Sequence, residues 1–517
     1  MATACIIQPS RGGFYARSKL RRKLFSDVSL SGMSHGPIEY PPLPEDLRQG
    51  VSWRSLKYFG AGAIVASVTI ASGETIFAAR SGALFGYTLL WCFVAGALMK
   101  GVQVYSGMRH MVLTGEHPMT HWGYMPGPKN WVPVAIGLLS LFCFPFWQAA
   151  LPLVLGGFVN WIVGVDGTAD QTLLLARLWA TLAIVVSVVL LWLKSYAFLE
   201  KAQLIIVGLL LACVFAATGA ARPDWLSALL GMITPIIPRY DSWIVEKYPT
   251  IAVRPPWVEV ITCIGAVGGG TYDYVGYVGC LREKLWGAIG VRHAPHEVVT
   301  QEPTMPLAID ESRENLRAAR RWLLPAQVDT VICFTSVLVF TICFVIMGAR
   351  ILHPQHLVPA DKDLLVHQAQ FLTDLHPLLL YVYQLGIFMA FFGTIYGAYE
   401  IYFRTAYECL MPISARFRAL PFETFRRGML IYCASLGLVF LWTMRDPVSI
   451  ITPAALVGGV FTCGLWCLAM LWADRRFLPR SLQMPGLLWL LVAVSGVVLT
   501  ALGLKGIWDY VAGWMTG

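Results

Sequence analysis

Long apolar runs alternate with short polar stretches along most of the chain from residue 58 onward. Each run is close to or longer than the roughly 20 residues that a helix needs to cross a bilayer. The pattern predicts an all-α polytopic membrane protein with eleven membrane-spanning helices. The expected spans are Tyr58–Ala79, Tyr87–Val112, Trp131–Phe158, Leu173–Leu193, Phe198–Ala220, Val258–Leu281, Trp322–Ile351, Pro377–Tyr402, Phe425–Trp442, Ser449–Trp472 and Pro485–Leu504.

The first and sixth spans each contain a glycine-rich interruption and a carboxylate. The residues concerned are Ala71, Ser72, Gly73 and Glu74 in the first span, and Gly268, Gly269, Gly270, Thr271, Tyr272, Asp273 and Tyr274 in the sixth. A charged side chain at membrane depth costs about 2.5–3.5 kcal/mol to insert, so it indicates a functional site. Paired broken helices are typical of a transporter's central site. We expect both helices to be unwound, near Ala71–Glu74 and Gly268–Asp273, and to face each other.

The spacing of the two broken spans predicts an internal repeat. They lie five helices apart, an odd number, so the two five-helix units have opposite orientations in the membrane and the eleventh helix is peripheral. Lys and Arg cluster at 282–321, 404–427 and 475–480. The positive-inside rule then places the N-terminus in the cytoplasm and the C-terminus outside, with 282–321 as a cytoplasmic loop. Within that loop, Glu311–Arg321 is expected to form a short helix leading into the seventh span.

Composition agrees with a membrane protein. Of the 517 residues, 57% are hydrophobic and only 13% are charged, whereas a soluble domain has about 25% charged residues. The net charge of +9 arises between the apolar runs, which argues against a nucleic-acid partner and leaves lipid as the expected one. We expect residues 1–50 to form a disordered, basic and Pro-rich cytoplasmic tail, 51–505 the transporter domain and 506–517 a short C-terminal tail. We expect the protein to lie in the plasma (inner) membrane and to function as a monomer.

The start of the first span resembles the Nramp-type divalent-metal transporters. The resemblance is carried by Tyr-Phe-Gly-Ala-Gly-Ala-Ile-Val-Ala-Ser at 58–67 and by Gly-Tyr-Thr-Leu-Leu-Trp at 86–91, and it extends more weakly over 55–475. It implies a LeuT-type fold, with alternating access between the two sides of the membrane. It also implies that the substrate is a divalent metal, usually manganese or iron moved with protons, with no resident cofactor.

The chain departs from that family at the metal site. Where the family has Asp-Pro-Gly-Asn, this chain has Ala71-Ser72-Gly73-Glu74, and where the family has Met-Pro-His, it has Tyr272-Asp273-Tyr274. The family's acids in the third helix are also missing, since no Asp or Glu lies between Lys129 and Asp166. The resemblance therefore implies the fold and the position of the site, but not the ligands.

The residues that replace the family's ligands form an oxygen set. Glu74 and Asp273 supply two carboxylates, with the hydroxyls of Ser72, Thr271, Tyr272 and Tyr274 and the carbonyls of the unwound turns beside them. Oxygen ligands suit hard cations such as Mg²⁺, Mn²⁺ and Ca²⁺, and two close carboxylates can also hold a proton. We expect Glu74 and Asp273 to bind the metal. Helix capping is the alternative, because each acid follows a break near the N-terminus of a half-helix.

Other polar residues are candidates with open roles. Glu400 is expected to pair with Arg404 four residues later, with a place along an exit path as the alternative. Tyr277 either lines the path or packs against lipid or in the core. Lys100 either meets a carboxylate or extends to the interface. A metal site in the loop of Glu116, His117 and His121 is a further alternative.

The sequence is compatible with three functions. The leading one is a secondary transporter of a divalent cation. The others are a transporter of the same fold that carries an organic solute such as an amino acid, and a non-transporting sensor. No nucleophile–base arrangement or metalloprotease signature is present, so we expect no enzymatic activity.

Overall fold

Long α-helices make up most of the described chain. The computed structural model describes residues 37–48, 53–58, 60–69, 75, 77–193, 196–253, 255–292, 306–358, 364–443, 454 and 456–516. The spanning helices are α1a (Ala61–Thr69), α1b (Ala79–Phe85), α2 (Leu90–Thr114), α3 (Trp131–Val163), α4 (Ala169–Leu193), α5 (Tyr196–Ala220), α6a (Pro256–Ala266), α6b (Thr271–Gly279), α7 (Arg313–Met347), α8 (Leu379–Leu410), α9 (Phe422–Thr443), α10 (Thr462–Phe477) and α11 (Gly486–Thr516).

Shorter helices join the spanning ones. They are Glu45–Arg48, Trp53–Tyr58, Pro118–Trp122, Trp225–Ile233, Ser242–Lys247, Pro249–Ala252, Leu281–Lys284, Ile289–Arg292, Leu364–Gln368, Gln370–Thr373, Ala415–Ala419 and Arg480–Leu482, with π-helical turns at Gly348–Leu352 and Val457–Phe461.

The helices account for the predicted spans. Within the described ranges, seven helices are long and apolar enough to cross a membrane, or eight if the bent pair Gly208–Ala220 and Trp225–Ile233, at 115°, is one span. The other predicted spans correspond to α2, which carries Lys100 and Arg109, to the interrupted sixth span, and to the first span, of which α1a and α1b are the described helices. The predicted interruption of the first span near Ala71–Glu74 lies outside the described residues. The chain is an all-α integral membrane protein.

Two predicted boundaries differ from the structure. The expected short helix at Glu311–Arg321 is the start of α7 itself, because the Ser312 hydroxyl accepts the backbone N–H of Asn315 at 3.3 Å and caps a helix that continues into the membrane. The expected tail at 506–517 is mostly the end of α11. An ion pair between Lys505 and Asp509 at 3.1 Å, one turn apart, supports the helix there.

The end of the predicted disordered tail is packed against the membrane domain, which corrects the prediction for residues 37–48. Ile38 forms a β-bridge with Ile309. The Tyr40 backbone N–H donates to the Asn315 side chain at 2.8 Å, and the Tyr40 hydroxyl donates to the Leu113 carbonyl at 2.8 Å. Leu47 is fully buried. Composition suggested disorder, but these contacts fix the position of a Pro-rich segment. Residues 1–36 and 49–50 of the predicted tail lie outside the described part.

Half-helix α1b packs backbone to backbone on the end of α7. A Cβ added at Gly82 would lie 2.1 Å from the carbonyl oxygen of Val345, and one at Gly348 would lie 2.3 Å from that of Ala79. Glycine at both positions is therefore what allows the close approach. This contact fixes α1b to the end of α7.

We expect Gly82→Ala to destabilise the protein by about 1–3 kcal/mol, because the added methyl group meets backbone that cannot yield. The measurement is the midpoint of heat-induced loss of folded protein in detergent. Gly157→Ala in α3 is the matched control, since no heavy atom lies within 4 Å of its added Cβ. Equal losses in the two variants would contradict the packing argument.

Candidate functional site

The sixth span is interrupted between α6a and α6b. Helix α6a ends at Ala266 and α6b begins at Thr271. Between them Gly268 and Gly269 have φ angles of +73° and +86°, a conformation that side chains with a Cβ rarely adopt. We call residues 267–270 break six. The predicted interruption is confirmed, although it is shorter than the expected Gly268–Asp273 because the helix resumes before the acid.

Asp273 lies in the first turn of α6b, directly after break six. Its Oδ2 accepts the backbone N–H of Gly270 at 2.9 Å, so one oxygen caps the helix. The side chain is half-buried within the sixth span. Asp273 therefore has the capping role that the sequence left open. The same carboxylate can still bind a cation.

The ammonium group of Lys100 lies against the backbone of break six. It donates to the carbonyl oxygens of Gly265 at 2.7 Å, Val267 at 2.8 Å and Gly269 at 2.8 Å, and the side chain is fully buried. The peptide group between Gly269 and Gly270 thus joins two charges: its C=O accepts from Lys100, and its N–H donates to Asp273. The expected extension to the interface is wrong, because the side chain is fully buried. The Asp273 carboxylate is connected to Lys100 through this peptide group.

Tyr274 also hydrogen-bonds to break six. Its hydroxyl lies 3.0 Å from the Gly268 carbonyl oxygen and 3.2 Å from that of Gly269. With the contacts of Lys100, four carbonyls in and beside the break already accept hydrogen bonds from the protein. The carbonyls that the sequence placed beside the carboxylates therefore have hydrogen-bond donors from the protein itself.

Thr271 and Tyr272 hold α6b against neighbouring helices. The Thr271 hydroxyl donates to the Cys463 sulfur of α10 at 3.4 Å, and the Tyr272 hydroxyl accepts from the Cys143 thiol of α3 at 3.8 Å. The Thr405 hydroxyl of α8 donates to the Tyr272 carbonyl at 2.5 Å. Both side chains are buried, so the structure places them as packing and orienting residues around Asp273.

The end of α1a faces break six. A Cβ added at Gly269 would lie 3.0 Å from the Thr69 methyl group, and Thr69 is the last residue of α1a. The four candidates Ala71, Ser72, Gly73 and Glu74 lie outside the described residues, so their place in the site stays a prediction. Within the described residues, the first span therefore approaches break six through Thr69 at the end of α1a.

Two polar contacts tie the half-helices together on either side of the breaks. Arg80 of α1b lies 3.4 Å from Glu259 of α6a. On the other side, Asp329 of α7 accepts the backbone N–H groups of Gly60 at 2.8 Å and Gly62 at 2.9 Å, and the Tyr277 hydroxyl at 2.8 Å. Asp329 thus caps the start of α1a and holds α6b, and Tyr277 belongs to this contact.

Sequence reasoning did not single out Asp329, and it left the role of Lys100 open. The signal for both was the same one that revealed Glu74 and Asp273, a charged residue inside an apolar span. Their partners are mostly backbone groups from distant segments, which the sequence does not reveal.

The remaining candidates have structural partners. Glu400 and Arg404 form the predicted ion pair at 2.5 Å, and Arg426 joins it at 3.0 Å. His121 hydrogen-bonds His110 at 2.6 Å. Burial lowers the pKa of His117 to about 4, so its neutral ring accepts from the Met119 N–H and donates to the Val275 carbonyl. Among the described residues no group of three or more metal-ligating side chains is present.

The comparisons with known proteins concern the fold. No protein-family model and no curated protein sequence matches the chain. Crystal structures of a manganese transporter from Eremococcus coleocola superpose with a TM-score of 0.63 at 14% identity, over 95% of this chain and 92% of theirs. MhsT in complex with L-phenylalanine gives a TM-score of 0.51 at 13% identity, over 86% of this chain and 97% of that one.

The protein has the LeuT-type fold. In such a fold two five-helix units of opposite orientation meet around discontinuous helices, and substrates bind near the middle of the membrane where those helices are interrupted. The predicted five-plus-five repeat is thereby confirmed. Break six, Asp273 and Lys100 lie where the sixth span of this chain is interrupted.

Proposed function

We propose that this protein is a secondary-active transporter that moves a divalent metal cation across the membrane by alternating access. The observation that carries the proposal is the half-buried carboxylate of Asp273 beside break six, in a LeuT-type fold. The structures with TM-scores of 0.63 belong to a protein described as a manganese transporter. That description supports a metal ion as the substrate class, with Mn²⁺, Fe²⁺ and Mg²⁺ as the first cations to test.

We place Glu74 and Asp273 as the ligands that hold the cation. Ala71, Ser72, Gly73, Thr271, Tyr272 and Tyr274 surround it in this proposal. Because four carbonyls of α6a and break six accept from Lys100 and Tyr274, the carboxylates carry the binding. The ammonium of Lys100 offsets one negative charge of the site, so both acids are needed for net attraction of a cation. If one carboxylate releases a proton when the cation binds, transport of the cation would be coupled to transport of the proton.

The proposal includes an orientation in the plasma membrane. The N-terminus and residues 282–321 lie in the cytoplasm, the C-terminus lies outside, and the protein works as a monomer in contact with lipid. The support is the concentration of Lys and Arg on one side. Protease cleavage within 293–305 should require access from the cytoplasmic side, and cleavage in intact cells from outside would contradict the orientation. The protein's role is transport, without enzymatic activity.

The deciding experiment is uptake by proteoliposomes that contain the purified protein. We expect uptake of Mn²⁺, Fe²⁺ or Mg²⁺ that a Glu74→Gln variant, folded and reconstituted to the same density, loses at least about tenfold. A panel of amino acids is assayed beside the metals. Uptake of an amino acid without metal uptake would replace the proposal by organic-solute transport, and no uptake of either class would leave a sensor as the better description.

A further inference from the structure

Lys100 is placed for close contact with break six by the way α2 packs. A Cβ added at Gly96, one turn before Lys100, would lie 2.6 Å from the Val267 side chain and 3.1 Å from the Ile264 carbonyl oxygen. The missing side chain at Gly96 therefore lets α2 lie directly on the end of α6a. The lysine side chain then reaches the interrupted backbone without leaving the protein interior.

Three carbonyl oxygens converge on the Lys100 ammonium. They come from Gly265, Val267 and Gly269, at distances of 2.7–2.8 Å from Nζ. Carbonyls freed by an unwound membrane helix are the ligands that transporters and channels use for monovalent cations. A cluster of oxygen dipoles in a low-dielectric interior favours a positive charge at its centre. In this protein that positive charge is covalently attached to α2.

We propose that break six is a monovalent-cation site whose cation is the Lys100 side chain. The wild-type protein then needs no free Na⁺, K⁺ or NH₄⁺ at this position. Removal of the side chain vacates a site that a compact monovalent cation or a primary alkylammonium ion fills. This inference concerns the resident charge beside Asp273 and does not depend on which substrate is transported.

The alternative is that Lys100 serves only as a hydrogen-bond donor to backbone oxygens. Matched small molecules separate the two roles. Propylammonium reproduces the four heavy atoms that Lys100→Ala removes, and 1-propanol has almost the same shape with a neutral donor. Na⁺ carries charge but no hydrogen-bond donor of its own. A cation site responds to propylammonium, NH₄⁺ or Na⁺, whereas a site that requires only a donor responds to 1-propanol equally well.

The test measures the fraction of Lys100→Ala and Lys100→Met that stays folded after heating. The assay is fluorescence-detected size-exclusion chromatography of crude detergent extracts, which works even when the protein yield is low. Lys100→Met keeps the volume of the stem without the charge. Lys505→Ala is the matched control, because Lys505 is exposed and pairs with Asp509. We expect propylammonium, NH₄⁺ or Na⁺ to raise the midpoint of Lys100→Ala saturably by at least about 2 °C. In Lys100→Met, where the stem volume is filled, only the compact ions NH₄⁺ or Na⁺ should do so. Wild type and Lys505→Ala should show no comparable rise.

Equal shifts in the Lys100 variants, wild type and Lys505→Ala would overturn the proposal. So would stabilisation of Lys100→Ala by 1-propanol as large as that by propylammonium. If neither Lys100 variant gives folded protein even with propylammonium in the growth and extraction media, the vacated site accepts no free cation and the proposal fails. Because folding is the readout, these outcomes are separate from the result of the uptake assay.

Discussion

Replacing Asp273 by asparagine is expected to weaken the binding of divalent cations at least about tenfold, or about 1.4 kcal/mol, while the protein stays folded. Asparagine keeps a side-chain oxygen that can accept the Gly270 N–H, so the cap on α6b is preserved. It removes the negative charge beside break six. The Lys100 ammonium, two hydrogen bonds away through one peptide group, then repels an incoming cation without compensation.

The tenfold figure is a lower bound. A unit charge 4 Å from another contributes about 4 kcal/mol at an effective dielectric constant of 20, and desolvation of the cation offsets part of that. The measurement is calorimetric titration of the wild type and Asp273→Asn with Mn²⁺, Mg²⁺ and Ca²⁺. Asp509→Asn is the control, since Asp509 lies near the end of α11 and pairs with Lys505. Equal affinities of wild type and Asp273→Asn for these cations would show that Asp273 serves only as a helix cap.

Replacing Asp329 by asparagine is expected to open the side of the protein on which α1a begins. The Asp329 carboxylate accepts hydrogen bonds from Gly60, Gly62 and Tyr277, and charge-assisted bonds of this kind are about twice as strong as neutral ones. Asparagine removes the charge and turns one acceptor into a donor that faces other donors. A loss of only about 1.4 kcal/mol changes the ratio of open to closed protein tenfold.

Native cysteines report the change. Cys333 is 1% exposed and lies against Gly62, one turn after Asp329, so its rate of alkylation by N-ethylmaleimide should rise about tenfold in Asp329→Asn. Cys333→Ala in the same background identifies the labelled residue. Glu259→Gln, which breaks the contact to Arg80 on the other side of the breaks, should leave Cys333 labelling unchanged and expose Cys263 instead. Equal Cys333 rates in Asp329→Asn and wild type would show that Asp329 does not hold this side closed.

The sequence predicted the position of break six because its cause is local. Gly268 and Gly269 adopt φ angles that other residues avoid, so the glycines themselves mark the interruption. The same holds for the long helices, whose apolar length is read directly from the chain. Asp273 was identified because a carboxylate stands out in an apolar span.

The partners of the charged residues were not predictable in this way. Lys100 binds carbonyls 165 or more positions away, and Asp329 binds backbone N–H groups 267 or more positions away. Every residue offers the same backbone groups, so no residue type in the sequence marks them as partners. The packing of Tyr40 and Leu47 was missed because a Pro-rich composition is typical of disordered chains. Composition does not reveal that two single side chains in such a segment are bound by the rest of the protein.

The docking of residues 37–48 also sets an order of events during synthesis. Tyr40 pairs with Asn315, 275 residues later, and the Trp322 indole donates to the Pro41 carbonyl at 2.9 Å. This segment leaves the ribosome before any membrane helix. Its partner Leu113 in α2 follows early, but its partners Ile309, Asn315 and Trp322 exist only once the start of α7 has been made. The contacts of this segment with residues 309–322 therefore form only after the first repeat and the sixth span have been inserted. A nascent chain arrested before residue 308 should leave 37–48 open to protease, and one arrested well beyond residue 322 should protect it.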